Sequence, residues 1–125
     1  MSPGDRLPDL MRSLDLGAMV AYGAATWDWH RLHFDPDRAQ RAGLDAPVVD
    51  GQMLGALIAE QVLSSFSPNA RLTALSFRNR APVLAGASVV CESTCVTDDG
   101  ATITFEHVVR AGDDVVATGT SELRR

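Results

Sequence analysis

Hydrophobic residues recur at helical spacing in one long stretch of the chain, between residues 51 and 66. The apolar positions in it are Met53, Leu54, Leu57, Ile58, Val62 and Leu63. Spacing of three and four residues places such side chains on one face of a helix. Asp50 stands where an N-cap belongs, and Gly55 and Ala56 leave room for another element to pack closely. The pattern predicts a long, largely buried helix over 51–66.

After this stretch the pattern changes to alternation, which is typical of strands with one buried face. Four runs alternate in this way: Leu75 and Phe77; Val89, Cys91 and Cys95; Ile103, Phe105 and Val109; Val115, Ala117 and Leu123. The connections at 98–100 and 111–114 are short enough for antiparallel hairpins. A long helix followed by an antiparallel meander predicts an α+β fold in which the sheet packs on the helix.

Two shorter helices precede the long one. The small apolar residues of 17–26 favour a short buried helix. Asp35 is a suitable N-cap and Pro36 a suitable first residue for a second helix, which would end at 42–43. The first ten residues contain two prolines and a glycine, and the apolar residues that follow show no sustained period, so this stretch is expected to be an arm or an irregular edge segment.

Composition limits the class of protein. The 125 residues fit one domain, taken as 1–125, and 46% hydrophobic with 22% charged residues is ordinary for a globular chain. Eleven basic against sixteen acidic residues, without a basic run, argue against nucleic acid as a partner. No apolar run approaches the roughly 20 residues of a membrane helix, and the first residues lack a secretion-signal pattern, so a cytoplasmic protein is expected. Cys91 and Cys95 are interpreted as reduced packing residues.

The segment from 27 to 35 is dense in aromatic and titratable side chains. Asp28 and His33 are candidates for acid–base catalysis, although residues five apart on a helix point about 140° away from one another and converge only through a turn. Trp27 and Trp29 flank the aspartate, and indole rings that shield a carboxylate from water raise its pKa. We therefore predict a raised pKa for Asp28.

Other interpretations of the same segment remain open. His30, His33 and an aspartate can supply nitrogen and oxygen ligands to a metal, but their spacing is not that of a strong zinc motif, and no metal is expected. Asp35 and Asp37 are better explained as a helix cap and a solvated first-turn acid. The indoles can also be ordinary core residues.

The start of the long helix is a second candidate site. Unpaired N–H groups lie at a helix N-terminus, and Gly51 would let a ligand approach, so a developing oxyanion can be held there. An ionised Asp50 would oppose this unless its side chain turns back to cap the helix. Arg78 and Arg80 share a strand face and can meet a phosphate, although surface charge is commoner. His107 is expected to be a hydrogen-bonded core histidine.

The segment Asp-Trp-His-Arg-Leu-His-Phe-Asp at 28–35 resembles the D-x4-H segment, often D-x-N-P-x-H-x-D, of the MaoC-like (R)-specific hydratase/dehydratase family. The stretch Pro-Val-Val-Asp-Gly at 47–51 is similar to the family's approach to its central helix, and 77–86 to its following strand and turn. The chain departs from the family at Trp27, where glycine is common, at 30–31, where Asn-Pro is common, and at Asp50, where histidine is common.

The resemblance implies a hot-dog fold and a 2-enoyl/3-hydroxyacyl thioester substrate on coenzyme A or an acyl carrier protein. Hydration needs a base, a proton donor and an oxyanion donor, so no metal or redox cofactor is expected. It implies that Asp28 is the base on water, that His33 helps to position water and transfer protons, and that the Gly51 N–H binds the thioester oxygen. The expected substrate contacts are Trp27, Trp29, His30, Asp50, Gln52, Met53, Phe77 and Arg78. Because of the departures from the family pattern, a bulky polycyclic or polyketide-like acyl group remains an open alternative for the substrate.

Several alternatives remain open for the oligomeric assembly and for the reaction. Hot-dog proteins pair side by side, so a homodimer or a heterodimer with another hot-dog subunit is expected. The chain can instead need a different hot-dog partner to complete its site. Thioester cleavage, cyclisation in a specialised pathway, and acyl binding without turnover are further alternatives, because one fold supports several chemistries.

Overall fold

The computed structural model describes all 125 residues, which form three α-helices, one 3-10 helix and five strands. In chain order the elements are β1 (Leu10–Leu14), α1 (Leu16–Thr26), the 3-10 helix (Arg31–His33), α2 (Pro36–Arg41), α3 (Gly51–Ser64), β2 (Arg71–Asn79), β3 (Ala87–Asp98), β4 (Thr102–Ala111) and β5 (Asp114–Arg124). All three helices predicted from the sequence are present. The long one ends at Ser64, two residues earlier than expected.

The five strands form one antiparallel sheet in the order β1-β3-β4-β5-β2. The β3–β4 and β4–β5 hairpins are the two expected from the short connections. Strand β2 pairs with β5 at the far edge rather than with β3, its neighbour in sequence. A curled antiparallel sheet packed on one long helix confirms the α+β prediction and the hot-dog arrangement that the resemblance implied.

Helix α3 is the centre of the core. Its residues Ile58 and Val62 are completely buried, and they belong to two hydrophobic clusters that together extend along the helix. Gly55 lets the ring of Phe77 lie directly on the helix backbone, because an added Cβ would overlap the ring. The burial of α3 therefore fixes the position of its N-terminus, where the candidate site lies.

Three details of the fold differ from the sequence prediction. The N-terminal edge segment contains a regular strand, β1, which pairs with β3 from Leu10 to Leu14. Helix α1 is not buried, since only Met19 and Gly23 are inaccessible. In β5 a register shift opposite Val109 and Arg110 leaves Val116 unpaired. The side chain of Val116 therefore turns inward, beside Ala117.

Candidate active site

Asp28 and His33 come together just beyond the C-terminal end of α1. The chain leaves α1 at Thr26 and turns through the 3-10 helix, whose last residue is His33. This turn places Nε2 of His33 3.8 Å from Oδ2 of Asp28. The two side chains thus converge through a turn, as the spacing required, and their atoms are close enough to act on the same small molecule.

The imidazole of His33 is held by the backbone of the segment before α3. Its Nδ1 lies 2.7 Å from the carbonyl oxygen of Val48. A carbonyl only accepts hydrogen bonds, so Nδ1 must carry the proton and donate it. In the neutral ring Nε2 then bears a lone pair, and this lone pair faces Asp28.

Asp50 joins this pair from the N-terminus of α3. Its Oδ1 accepts a hydrogen bond from the Gln52 N–H at 3.0 Å, which caps the helix, while Oδ2 lies 4.0 Å from Nε2 of His33. Atoms of Asp28, His33 and Asp50 all lie within 4.8 Å of one another. The carboxyl group of Asp50 therefore both turns back to cap the helix and faces the candidate catalytic pair.

The two carboxyl groups have pKa values shifted in opposite directions. The pKa of Asp28 is held below its usual value by the neighbouring Asp50 carboxyl and then by the backbone N–H of His30, which donates to Oδ1. Burial is the main cause that raises the pKa of Asp50, and the charge of Asp28 adds to it. The predicted rise for Asp28 is wrong, and the raised pKa belongs to Asp50.

The reason for this error is the position of the indoles. Trp27 is 83% exposed and Trp29 49% exposed, so neither shields the Asp28 carboxylate, whose side chain is 38% exposed. The two rings meet edge to face with centroids 6.4 Å apart, and Trp29 meets Phe34 in the same way. They form an aromatic surface beside the site rather than a cover over it.

A small pocket connects the three polar side chains with α1. Its wall is made by Met19, Tyr22, Gly23 and Met53, together with Asp28, His33 and Asp50. Sequence reasoning did not find the first three of these, because a helix of small apolar residues carries no chemical signal of its own. The pKa of the Tyr22 phenol is raised, first by burial and then by the charges of Asp50 and Asp28.

Gly51 opens a second hollow beside this pocket. The hollow has a volume of about 340 Å³ and is lined in part by Val49, Leu54, Asn79 and Arg80. The Gly51 N–H makes no hydrogen bond within the chain, whereas the Gln52 N–H is capped by Asp50. The amide of Asn79 occupies the place that a Cβ at residue 51 would take. Asn79 is a lining residue that the sequence analysis missed.

The remaining predicted contacts lie at different distances from this centre. Met53 is buried in the pocket wall, whereas Gln52 is exposed at the first turn of α3. Phe77 is half-buried against Gly55. Arg78 is not brought to the catalytic pair, since it lies in a different hollow with Glu106.

The three side chains whose ligand atoms converge do not include His30. His30 is exposed, its Nδ1 accepts the Leu32 N–H, and its ring centroid lies 5.7 Å from that of His33. Asp28, His33 and Asp50 instead present one nitrogen and two carboxylates, a donor set that a divalent cation can also use. Their arrangement is suited equally to holding protons.

The residues expected to be structural are structural. His107 is 2% exposed, with its ring nitrogens 2.7 Å from Ser93 Oγ and from Ser121 Oγ. Ser93 Oγ in turn donates to Oε1 of Gln61 at 2.6 Å. Cys91 and Cys95 are free and buried. These findings confirm a core histidine and two packing thiols.

The chain matches the family model described as "MaoC like domain" over residues 5–112. Among curated proteins, it is 31% identical over 70 residues to the mitochondrial 3-hydroxyacyl-[acyl-carrier-protein] dehydratase of Arabidopsis thaliana, covering 56% of this chain and 42% of that protein. It is 34% identical over 91 residues to the peroxisomal multifunctional enzyme type 2 of Mus musculus, covering 71% of this chain and 12% of that protein. The match thus spans less than half the length of these relatives.

Solved structures show the same fold over the whole chain. A chain of the ChsH1-ChsH2 complex from Mycobacterium tuberculosis has a TM-score of 0.92 at 25% identity, covering 99% of this chain and 98% of that one. The (R)-hydratase from A. caviae involved in PHA biosynthesis has a TM-score of 0.91 at 20% identity, with 99% of this chain and 96% of that one covered.

None of the helices of the present chain has both the length and the hydropathy that a membrane span requires.

Proposed function

The chain belongs to the MaoC-like dehydratase family, and from that premise we propose that it adds water to a 2-enoyl thioester or removes water from a 3-hydroxyacyl thioester. One observation carries the proposal. A carboxylate and an imidazole nitrogen, on Asp28 and His33, lie 3.8 Å apart beside a helix N-terminus whose Gly51 N–H is unpaired. These are a base, a polar partner and an oxyanion donor, which hydration requires.

Each group has a distinct part in the proposed hydration. Asp28 accepts a proton from water as the water oxygen bonds to C3, and the lone pair on Nε2 of His33 helps to orient that water. The electrons displaced from the double bond move to the thioester oxygen, where the Gly51 N–H donates a hydrogen bond. Exposed side chains at the rim, among them Trp27, Trp29, His30 and Gln52, would contact the acyl group or its carrier.

The test is turnover of enoyl thioesters by the wild type and Asp28→Asn. The asparagine keeps the acceptor for the His30 N–H but cannot accept a proton from water, so we expect the fold to persist and kcat to fall by at least about 100-fold. Asp37→Asn, at an exposed first-turn acid of α2, is the matched control. Unimpaired hydration by Asp28→Asn would reject the assignment of the base.

The substrate panel should run from short-chain to bulky polycyclic acyl groups, each on coenzyme A and on an acyl carrier protein. The name of the Arabidopsis relative points to the protein carrier. Free thiol is measured in the same reactions. Thiol release without loss of the enoyl absorbance would replace hydration by thioester cleavage as the activity.

A hetero-oligomer is the second candidate, favoured by the two-subunit complexes among the structural neighbours. ChsH1-ChsH2 is one, and the 3R-hydroxyacyl-ACP dehydratase complex HadBC, at a TM-score of 0.79, is another. This chain leaves apolar side chains exposed on α1, including Leu16 and Val20. Mass measurement of the purified protein, followed by assay, decides between the two: a fully active homodimer would make a second kind of subunit unnecessary.

A further inference from the structure

Three atoms that accept hydrogen bonds converge at the candidate active site. The Nδ1 proton of His33 is donated to Val48, so in the neutral ring Nε2 presents a lone pair, 3.8 Å from Asp28 Oδ2 and 4.0 Å from Asp50 Oδ2. Carboxylates also only accept. Two like charges and a lone pair repel one another at this spacing unless the group holds a proton.

The two carboxyl groups differ in how well each supports a negative charge. The Asp50 side chain is 13% exposed, against 38% for Asp28, and a carboxyl group in the drier position is the harder one to ionise. Asp28 is reached by more water and by the backbone N–H of His30. Where two neighbouring acids have environments that move their pKa values apart, the assignment of acid and base follows.

The position of Asp50 also places it near one particular carbon of the substrate. It immediately precedes Gly51, whose N–H is proposed to bind the thioester oxygen. C2 is bonded directly to the thioester carbonyl carbon, whereas C3 is one bond further away. With the thioester oxygen on the Gly51 N–H, we expect C2 to lie nearer than C3 to the Asp50 carboxyl group, and the base for water at C3 is a separate residue.

We propose that Asp50 is the general acid that protonates C2 during hydration, while Asp28 accepts the proton of the attacking water. This inference rests on the proposed function. It assigns a catalytic role to the aspartate that stands where the family commonly has histidine.

The proposed step balances in atoms and charge. The water O–H bond breaks and its proton goes to Asp28, the C3–O bond forms, and the π electrons move to the thioester oxygen. The electrons then return to form the C2–H bond with the proton of Asp50. Asp28 then passes its proton to Asp50 through one bridging water molecule, which a separation of carboxyl oxygens within 4.8 Å accommodates, and the pair is restored. Dehydration is the reverse sequence.

The charges around Asp50 define the expected pH dependence. Asp28 and His33 face it from the segment after α1, and Tyr22 from α1, while His30 lies behind His33 with ring centroids 5.7 Å apart and Arg80 lines the neighbouring hollow. Loss of the Asp50 proton at higher pH would remove the acid and add a second negative charge. The value of kcat/KM for hydration should therefore fall on the alkaline side with the titration of Asp50.

The experiment compares the wild type with Asp50→Asn, Asp50→Ser and Asp50→Glu on whichever enoyl-CoA the wild type hydrates. Asparagine and serine both retain an N-cap acceptor for the Gln52 N–H, so a loss of kcat in both is not a loss of the cap. The control is Asp45→Asn, at an exposed turn residue before the helix. Thermal unfolding is recorded for every variant.

We expect kcat to fall at least about 100-fold in Asp50→Asn and Asp50→Ser, with a smaller change in KM and without the alkaline limb. Asp50→Glu should recover part of kcat and move that limb. A folded Asp50→Asn with kcat within about threefold of wild type would overturn the inference, and so would an unchanged alkaline limb, which would assign the proton to His33. Activity abolished by a chelator and restored by a divalent cation would also overturn it.

The same data separate this inference from the proposed function. If the wild type hydrates a thioester and the Asp50 variants do so equally well, only the role of Asp50 is rejected. If the folded wild type, alone and with candidate hot-dog subunits, hydrates no thioester, both are rejected together.

Discussion

The side-chain amide of Asn79 lies directly over the α carbon of Gly51, with Cγ 3.0 Å from the point where a Cβ would be. Both residues line the hollow of about 340 Å³ at the start of α3, and the Gly51 N–H makes no hydrogen bond within the chain. Only glycine fits this position without displacing the amide. Close backbone approach by a ligand is a common reason for such a glycine.

Gly51→Ala should therefore damage activity more than stability. The added methyl takes the place of the Asn79 amide, the far end of a flexible side chain, and the displaced amide is expected to obstruct the hollow in which the thioester would bind. We expect at least about a tenfold loss of kcat/KM with a change in unfolding free energy below about 1 kcal/mol. Enzyme kinetics and urea unfolding measure the two quantities.

Gly55→Ala is the contrasting variant. Its methyl would overlap the ring of Phe77, with ring atom Cδ1 only 2.9 Å away, and a packed ring cannot move aside cheaply. Overpacking of this kind costs about 1–3 kcal/mol. The interpretation of Gly51 fails if both variants lose stability equally or if Gly51→Ala retains full activity.

A second prediction separates the two histidines of the site. His33→Asn keeps a donor near Nδ1 for the Val48 carbonyl but has no atom in place of Nε2. We expect an intact fold and a fall in kcat of at least about 100-fold. His30→Asn should change KM rather than kcat, because His30 is exposed and its Nδ1 bonds only its own turn. Equal kcat values for the two variants would contradict this division of roles.

The sequence predicts a candidate site residue only where that residue belongs to a recognisable motif or obeys a local rule such as helix capping. The resemblance identified the Asp28 and His33 pair, and the N-cap rule placed Asp50 at the start of α3. The order of the two carboxyl pKa values could not be predicted, because it depends on the burial of Asp50 and on the tertiary contact between Asp50 and Asp28. Tyr22 and Asn79 reach the site through the packing of α1 and β2, which no spacing in the sequence encodes.

The same holds for the fold: local sequence patterns predicted some elements, whereas features that depend on tertiary pairing were missed. The long apolar period of α3 and the alternation in β3 and β4 were sufficient to predict those elements. Strand β1 was missed because it is an edge strand with exposed residues such as Met11, held by backbone pairing to β3. The inward turn of Val116 was missed because a bulge interrupts alternation without changing composition.

The third prediction is a loss of stability in mild acid caused by His107. Burial lowers the pKa of this histidine to about 4, below the roughly 6.5 of the unfolded chain. Between these values the unfolded chain binds a proton that the folded protein does not, so stability falls as pH decreases from 6.5 toward 4. The loss should reach about 3 kcal/mol at pH 4.

Urea unfolding at several pH values tests this effect. His107→Gln should be less stable than wild type at pH 7, because it disturbs the bonds to Ser93 and Ser121, but it should lack the slope between pH 6.5 and 4. Asp98, whose pKa is lowered to about 2 by the N-terminal ammonium group and the Gly100 N–H, titrates below this window. The same slope in wild type and variant would refute the assignment to His107.

The fourth prediction concerns the backbone of Trp27. This residue caps the C-terminus of α1 with φ at 56°, in the left-handed region that glycine adopts without strain, and its side chain is 83% exposed. A large aromatic residue there is strained and gains little burial. Trp27→Gly should therefore raise the unfolding free energy by about 0.5–1 kcal/mol, an unusual gain for removing a tryptophan.

The same substitution tests whether Trp27 contacts the substrate. If the exposed ring packs on the acyl group or its carrier, Trp27→Gly should raise KM severalfold while kcat changes less, so that stability and affinity move in opposite directions. Trp27→Asn is the matched control for the backbone, because asparagine tolerates the left-handed region and also lacks the ring. A gain in stability with unchanged KM in both variants would remove Trp27 from the substrate contacts and leave its ring available to a partner subunit.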